Sequence, residues 1–224
     1  MKAIGARQFF PTDDPECLVE FTAEMPVAGA KDLLVRVLAV AVNPVDTKVR
    51  KLLGETRQEP PRVLGFDAAG IVAAVGDEVV GFSVGDEVYY AGDVTRPGSN
   101  AEFQTVDARL VAKKPATWTF EEAAAVGTLG LIVETVNPLH IGNPFRLKSP
   151  RVVWEYMMTR SRFQTADMHR QGEILAEISR RCDAGNFPRI ATRVFGKISA
   201  ENLIEAHAAM ENGSAHGKWV LSGW

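Results

Sequence analysis

Residues 64–93, LGFDAAGIVAAVGDEVVGFSVGDEVYYAGD, set the strongest constraint on what this chain can fold into. Within it, residues 68–75 and 87–90 are short, apolar and rich in β-forming side chains. Each borders a Gly-Asp pair, Gly76-Asp77 or Gly85-Asp86, of the kind that reverses a strand. The stretch therefore predicts two strands close in sequence. Gly65 and Gly70 bracket Phe66-Asp67, and their missing Cβ atoms let the backbone turn sharply and leave little bulk above that dipeptide. Gly-Asp turns recur in many small barrels, so a purely structural barrel and a barrel that carries a site both stay open on these residues.

The flanking chain predicts more strands and a few helices. Residues 2–10 and 18–21 read as strands. Residues 33–42, LLVRVLAVAV, alternate at first and then run continuously apolar, as a strand does on passing from a half-exposed to a fully buried position. Asn43-Pro44 has the form of a helix start, with Asn43 as N-cap, Pro44 first in the helix and Asp46 third, near the positive helix end; the helix runs to Leu53. Residues 55–62 read as a loop, and residues 92–100, GDVTRPGSN, as a loop that carries function or bulges at the surface. Residues 101–106 and 109–113 resemble two more strands, and Thr119 with Glu122 forms a capping box for a helix ending at Val126. Further on, Met168, Gln171, Leu175, Ile178 and Cys182 make a stripe on a helix over residues 167–182, stopped by Gly185; simple core packing accounts for it. Ser199 caps a helix over residues 200–212, and residues 218–221 close with a strand.

At 224 residues, 46% hydrophobic and 24% charged, the chain can bury a core as one large domain or two small ones. A formal net charge of -3, with Lys and Arg scattered, offers no attraction to nucleic acid or anionic lipid, and no apolar run is long enough to cross a bilayer. The start, MKAIGARQFF, has no apolar signal core, so a cytoplasmic protein with no nucleic-acid or membrane partner is expected. Cys17 and Cys182 are far apart and form no C-x-x-C, so they read as free thiols.

The oddest place is Gly127-Thr128-Leu129-Gly130, where paired glycines join the aborted helix to strand-like residues 131–136. A second strand candidate spans residues 151–158. Four ordered blocks stand out in the first half: Asn43-Pro44-Val45-Asp46-Thr47-Lys48-Val49-Arg50, Gly65-Phe66-Asp67-Ala68-Ala69-Gly70, Tyr90-Ala91-Gly92-Asp93, and Arg96-Pro97-Gly98-Ser99-Asn100-Ala101-Glu102-Phe103. With Trp154-Glu155, Thr159-Arg160, Phe163-Gln164-Thr165 and Gly217-Lys218, they resemble the medium-chain dehydrogenase/reductase superfamily, in its zinc-type alcohol dehydrogenase-like, quinone-oxidoreductase-like branch.

That resemblance implies a mainly β fold with α (α+β): a GroES-like, partly open β-barrel completed by C-terminal helices and a C-terminal strand. Such proteins carry an inserted Rossmann domain, of which little remains here. No G-x-G-x-x-G occurs, and a βαβ unit of about 30 residues cannot fit between Val126 and Leu131. The implied organisation is residues 1–126 as the N-terminal part of the substrate domain, 127–130 as an excision junction, 131–160 as residual Rossmann strands, and 161–224 as the helices and strand that complete the barrel.

Zinc alcohol dehydrogenases that this chain resembles hold their metal with Cys and His. Here residues 43–47 stand where a Cys ligand would be expected, and Phe66 where a His would be. His140, His169, His207 and His216 fall on unrelated elements, so no zinc is expected. The resemblance then implies zinc-independent hydride transfer from NADPH or NADH to a quinone or an activated alkene such as an enone. Asn43 and Asp46 would stand near the cofactor's ribose and nicotinamide, Phe66 and Tyr90 would wall a flat substrate, and Lys218 and Phe163 would join Asn43 in contacting the cofactor. Plain readings stand beside these: Asn43 as a helix cap, Asp46 as a first-turn charge, Phe66 and Tyr90 as core, Lys218 as a solvated charge. Without its cofactor half, the isolated chain is expected to bind no dinucleotide and to be inactive. A non-enzymatic binding barrel and an enzyme half completed in trans are the alternatives. Residues 131–136 and 151–158, stripped of their neighbours, are expected to pair with a second copy in a homodimer.

Overall fold

A computed structural model describes residues 1–126 and 158–224. In chain order the elements are β1 (Lys2–Ala6), β2 (Val19–Thr22), β3 (Asp32–Val42), α1 (Pro44–Leu52), β4 (Arg62–Val63), β5 (Asp67–Val75), β6 (Glu87–Ala91), β7 (Phe103–Asp107) and β8 (Val111–Lys113). There follow α2 (Phe120–Ala124), α3 (Thr159–Phe163), α4 (His169–Asp183), β9 (Ala191–Gly196), α5 (Ala200–Glu211) and β10 (Lys218–Ser222). The fold is the expected mixture of sheet and helix. Its strands do not close on themselves among the described residues, and β1, β2 and β4 form a small sheet of their own.

β3 is the spine. One edge pairs with β5 along its length, from Leu33↔Val75 to Ala41↔Asp67. The other edge is shared, with β7 taking the first half (Asp32↔Asp107) and β10 the second (Trp219↔Val42). The C-terminal strand therefore completes the N-terminal sheet. β9 lies parallel to β10, with α5 as the connection between them.

The sequence of β3 explains its burial. Its first half alternates; its last four residues, Ala39, Val40, Ala41 and Val42, are all buried because both sheet faces are covered there. Val35, Val37, Val40 and Val42 join one core with Ile4, Leu64 and Leu203, whereas Ala39 and Ala41 join a second with Ala123, Ala124 and Leu175. Small side chains on that second face let α2 approach closely. The stripe on α4 does what core packing requires, with Met168, Leu175 and Cys182 buried. Both halves of the α2 capping box form: the Glu122 amide donates to Thr119 Oγ1 (3.2 Å) and the Thr119 amide to Glu122 Oε2 (3.0 Å).

Several boundaries differ from the sequence expectation. The opening strand stops at Ala6, and Phe9 turns inward to lie under the Arg50 guanidinium. The expected strand over 109–113 is shortened because residues Ala108–Leu110 form a 3-10 turn, whose N-terminus Asp107 caps by accepting from the Arg109 amide (3.0 Å). β4 lies at the end of the expected loop, and β9 was not anticipated. The junction at 127–130 and the strand candidates at 131–136 and 151–158 fall outside the described residues, except Met158, a buried turn residue leading into α3. Thr159 and Arg160, expected in the residual strands, are helical. Among the described residues no helix is long and apolar enough to cross a membrane.

Candidate functional site

The ends of three strands meet at one point. The register sets Trp219 opposite Val42 and Asp67 opposite both Ala41 and Ala91, which brings Lys218, Asn43 and Asp67 together where α1 begins. Asn43 holds the N-cap position, but its side chain makes no cap hydrogen bond. Its Nδ2 donates instead to Asp67 Oδ2 (2.9 Å) and to the Ala41 carbonyl (3.3 Å), and its Oδ1 accepts from Lys218 Nζ. Lys218 Nζ also reaches Asp67 Oδ2 at 3.3 Å. The amide of Asn43 thus bridges a buried carboxylate and an ammonium, and the helix start is capped the other way round, by Asp46 Oδ2 accepting from the Asn43 amide (2.6 Å).

Asp46 is buried, and burial pushes its carboxyl up to about 7. The Asn43 amide opposes that rise, the Asp67 charge adds to it, and Lys218 and the Gly65 amide pull it down. Its Oδ1 has no partner at hydrogen-bond distance, although the Gly65 amide is near enough to stabilise the charge. A carboxyl so placed can hold or release a proton near neutrality. Gly65 takes a positive φ of 86°, and a Cβ there would lie 2.5 Å from Asn100 Oδ1. The close approach of residues 97–100 is secured by the Ser99 amide on the Gly65 carbonyl (2.7 Å) and the Asn100 amide on the Leu64 carbonyl (2.9 Å).

Of the residues expected at a site, the structure brings Asn43, Asp46 and Lys218 together, buries Phe66 and Tyr90, and leaves Phe163 exposed on α3. Phe66 is fully buried, its carbonyl accepting from the Gly92 amide (2.7 Å), and presents no exposed wall. Tyr90 lies in the main core and donates to Gln104 Oε1 (2.8 Å); burial pushes its phenol far up. Phe163 is 65% exposed on α3, under the Arg162 guanidinium. Asp67 was missed as a site residue. Its signal was there: a carboxylate at the head of an otherwise apolar strand has to find a cation or donors once buried.

Among the described residues no group of three or more His, Cys, Asp and Glu side chains could hold a metal. Cys17 lies against Arg50, Cys182 on α4, and His207 is buried on α5, none of them at the strand ends.

Two family models match: the alcohol dehydrogenase GroES-like domain over residues 29–116, and the zinc-binding dehydrogenase over residues 86–221, more than half of the chain. A zinc-type alcohol dehydrogenase-like protein of Staphylococcus epidermidis is 43% identical over 131 residues, 58% of this chain but only 38% of that protein's length. A second such protein, from Staphylococcus aureus strain COL, is 27% identical over 335 aligned residues that take in 99% of this chain and 100% of the relative. Because the chain has 224 residues, that alignment leaves a long stretch of the relative without a counterpart. A solved structure from Rhizobium etli CFN 42, described as a candidate zinc-dependent alcohol dehydrogenase, superposes with a TM-score of 0.84 at 29% identity, covering 100% of this chain and 98% of the other. On these matches the chain belongs to the zinc-binding dehydrogenase family of the medium-chain dehydrogenase/reductase superfamily.

Proposed function

We propose that this chain is the substrate domain of a zinc-independent, NADPH- or NADH-dependent oxidoreductase acting on a quinone or an activated alkene, and that the chain by itself is inactive. The observation that carries the reading is the strand-end cluster: a bridging amide, two buried carboxylates and an ammonium, with no thiolate or imidazole among them. Zinc in a catalytic site needs three protein ligands, usually His, Cys or a carboxylate, and an open position. Asn43 and Phe66 supply neither thiolate nor imidazole, and the ammonium of Lys218 sits where a cation would have to go. Zinc does not fit these residues.

A dinucleotide fits only in part. Asn43 and Asp46 offer polar contacts for a ribose and nicotinamide carboxamide and Lys218 a charge for a phosphate, whereas the sequence has no G-x-G-x-x-G to cradle a pyrophosphate. What its residues do is narrower: Asn43 is held in one orientation by Lys218 and Asp67, and Asp46 can hold a proton beside it near neutrality. The buried pair Phe66 and Tyr90 would reach a ligand only by moving. We further place the protein in the cytoplasm, and expect residues 131–136 and 151–158 to drive self-association, from their apolar sequence.

Steady-state NADPH oxidation with 1,4-benzoquinone tests the reading. The chain alone should show no rate above the uncatalysed background, and inserting between Gly127 and Gly130 the stretch that the S. aureus relative has and this chain lacks should create one. Saturable turnover by the chain alone would contradict the reading. A folded chimera that binds NADPH yet stays inert would favour a non-enzymatic binding barrel.

A further inference from the structure

We propose that the ammonium of Lys218 is the resident cation of the strand-end cluster, and that by holding Asp67 and Asn43 it makes this family member refuse a divalent metal. The inference deepens the zinc-independent part of the proposed function and rests on the same cluster. Asp67 is fully buried, and its Oδ2 is shared by Asn43 Nδ2 at 2.9 Å and Lys218 Nζ at 3.3 Å. Asn43 Oδ1, the other oxygen a metal could use, is likewise taken by Lys218. The side chain of Lys218 is itself only 18% exposed, so its charge is weakly screened by water. Two carboxylates and an amide oxygen would otherwise suit a hard divalent cation. A metal entering here would meet an ammonium at contact distance, whose repulsion in a poorly solvated site outweighs what the remaining oxygens offer.

Lys218 is in this sense a positioning residue: it fixes the orientation of Asn43 and balances the charge of Asp67. Removing one partner of a buried pair leaves the other uncompensated, which costs far more than the pair contributes. Removing both should restore much of the loss.

The test uses the full chain and three variants, Lys218→Met, Lys218→Arg and the double variant Lys218→Met with Asp67→Asn. Unfolding in urea should show the Met variant with an unfolding equilibrium constant raised about a hundredfold, the Arg variant close to the parent, and the double variant recovering most of the loss. Calorimetric titration with Mn²⁺ should show no saturable binding to the parent, and binding about tenfold tighter or more in the Met variant, abolished again in the double variant. Should the Met variant not fold, Lys218→Gln, which also removes the charge but keeps a polar end, takes its place in both measurements. A Met variant as indifferent to Mn²⁺ as the parent would overturn the inference while leaving the zinc-free reading intact, and so would one as stable as the parent. So would a double variant no better than the single one. Stoichiometric zinc in the purified parent would instead overturn the zinc-free reading itself.

Discussion

Asn43 shows how one side chain can satisfy two readings of the sequence at once. Its place before Pro44 marks a helix start, and the helix is there, yet the side chain faces Asp67 and Lys218 and leaves the capping to Asp46. Asp46 carries the sharpest residue-scale prediction. Its carboxyl is raised from the usual carboxylate range to about 7 in the folded chain, so between those values the folded state holds a proton that the unfolded state has released. Its contribution to stability is therefore greatest at acid pH and falls as pH rises towards 7, by about 1.4 kcal/mol per pH unit. Asp46→Asn should remove this slope: thermal melts from pH 5 to 8 should show the variant gaining on the parent as pH rises, and parallel profiles would contradict the raised value. The helix start at Asn43, Pro44 and Asp46 was legible from its local pattern, whereas the meeting of those residues with Lys218 was not, because it depends on a strand more than 170 residues away. Tyr90 and Phe163 were not, because an aromatic side chain in sequence does not reveal which face of its element is covered.

At the scale of elements, the glycines of the opening stretch carry the consequence. A Cβ on Gly70 would sit 2.2 Å from the Arg36 carbonyl oxygen, beside an irregularity in the pairing of β3 with β5. Backbone cannot move aside as a side-chain tip can, so Gly70→Ala should cost about 3 kcal/mol or more, read from urea unfolding; a loss under about 1 kcal/mol would mean that β3 shifts freely. The loop of residues 92–100 is pinned from both sides. Arg96 makes a two-pronged pair with Asp32 (2.9 and 2.7 Å) and reaches Thr105 Oγ1 (3.1 Å), while Arg62 donates to the Val94 and Arg96 carbonyls (both 2.8 Å). Arg96→Ala should cost about 2 kcal/mol, with only partial rescue by Lys, which cannot present two parallel donors. β3 was legible in detail since alternation and then continuity of apolar residues report one covered face and then two. β9 was not: ATRVFG mixes a charge into a short run, and its place beside β10 depends on a parallel partner more than twenty residues on.

For the whole molecule, the decisive architectural fact is that β10 pairs with β3 across most of the chain, so the sheet needs both ends of the sequence. The resemblance implied a C-terminal strand that completes the barrel but not its partner, since neither strand carries a local signal that names the other. The pairing explains how a chain can belong to this family while lacking a long stretch of its relatives. Self-association belongs at this scale too: light scattering should find a dimer that Val153→Lys weakens, and a monomer at high concentration would contradict it. On the reading proposed above, this chain keeps the substrate side of a dehydrogenase without the means to hold its dinucleotide. Calorimetric titration of the purified chain with NADPH tests it most directly. No saturable heat is predicted, and a dissociation constant in the micromolar range would contradict the account.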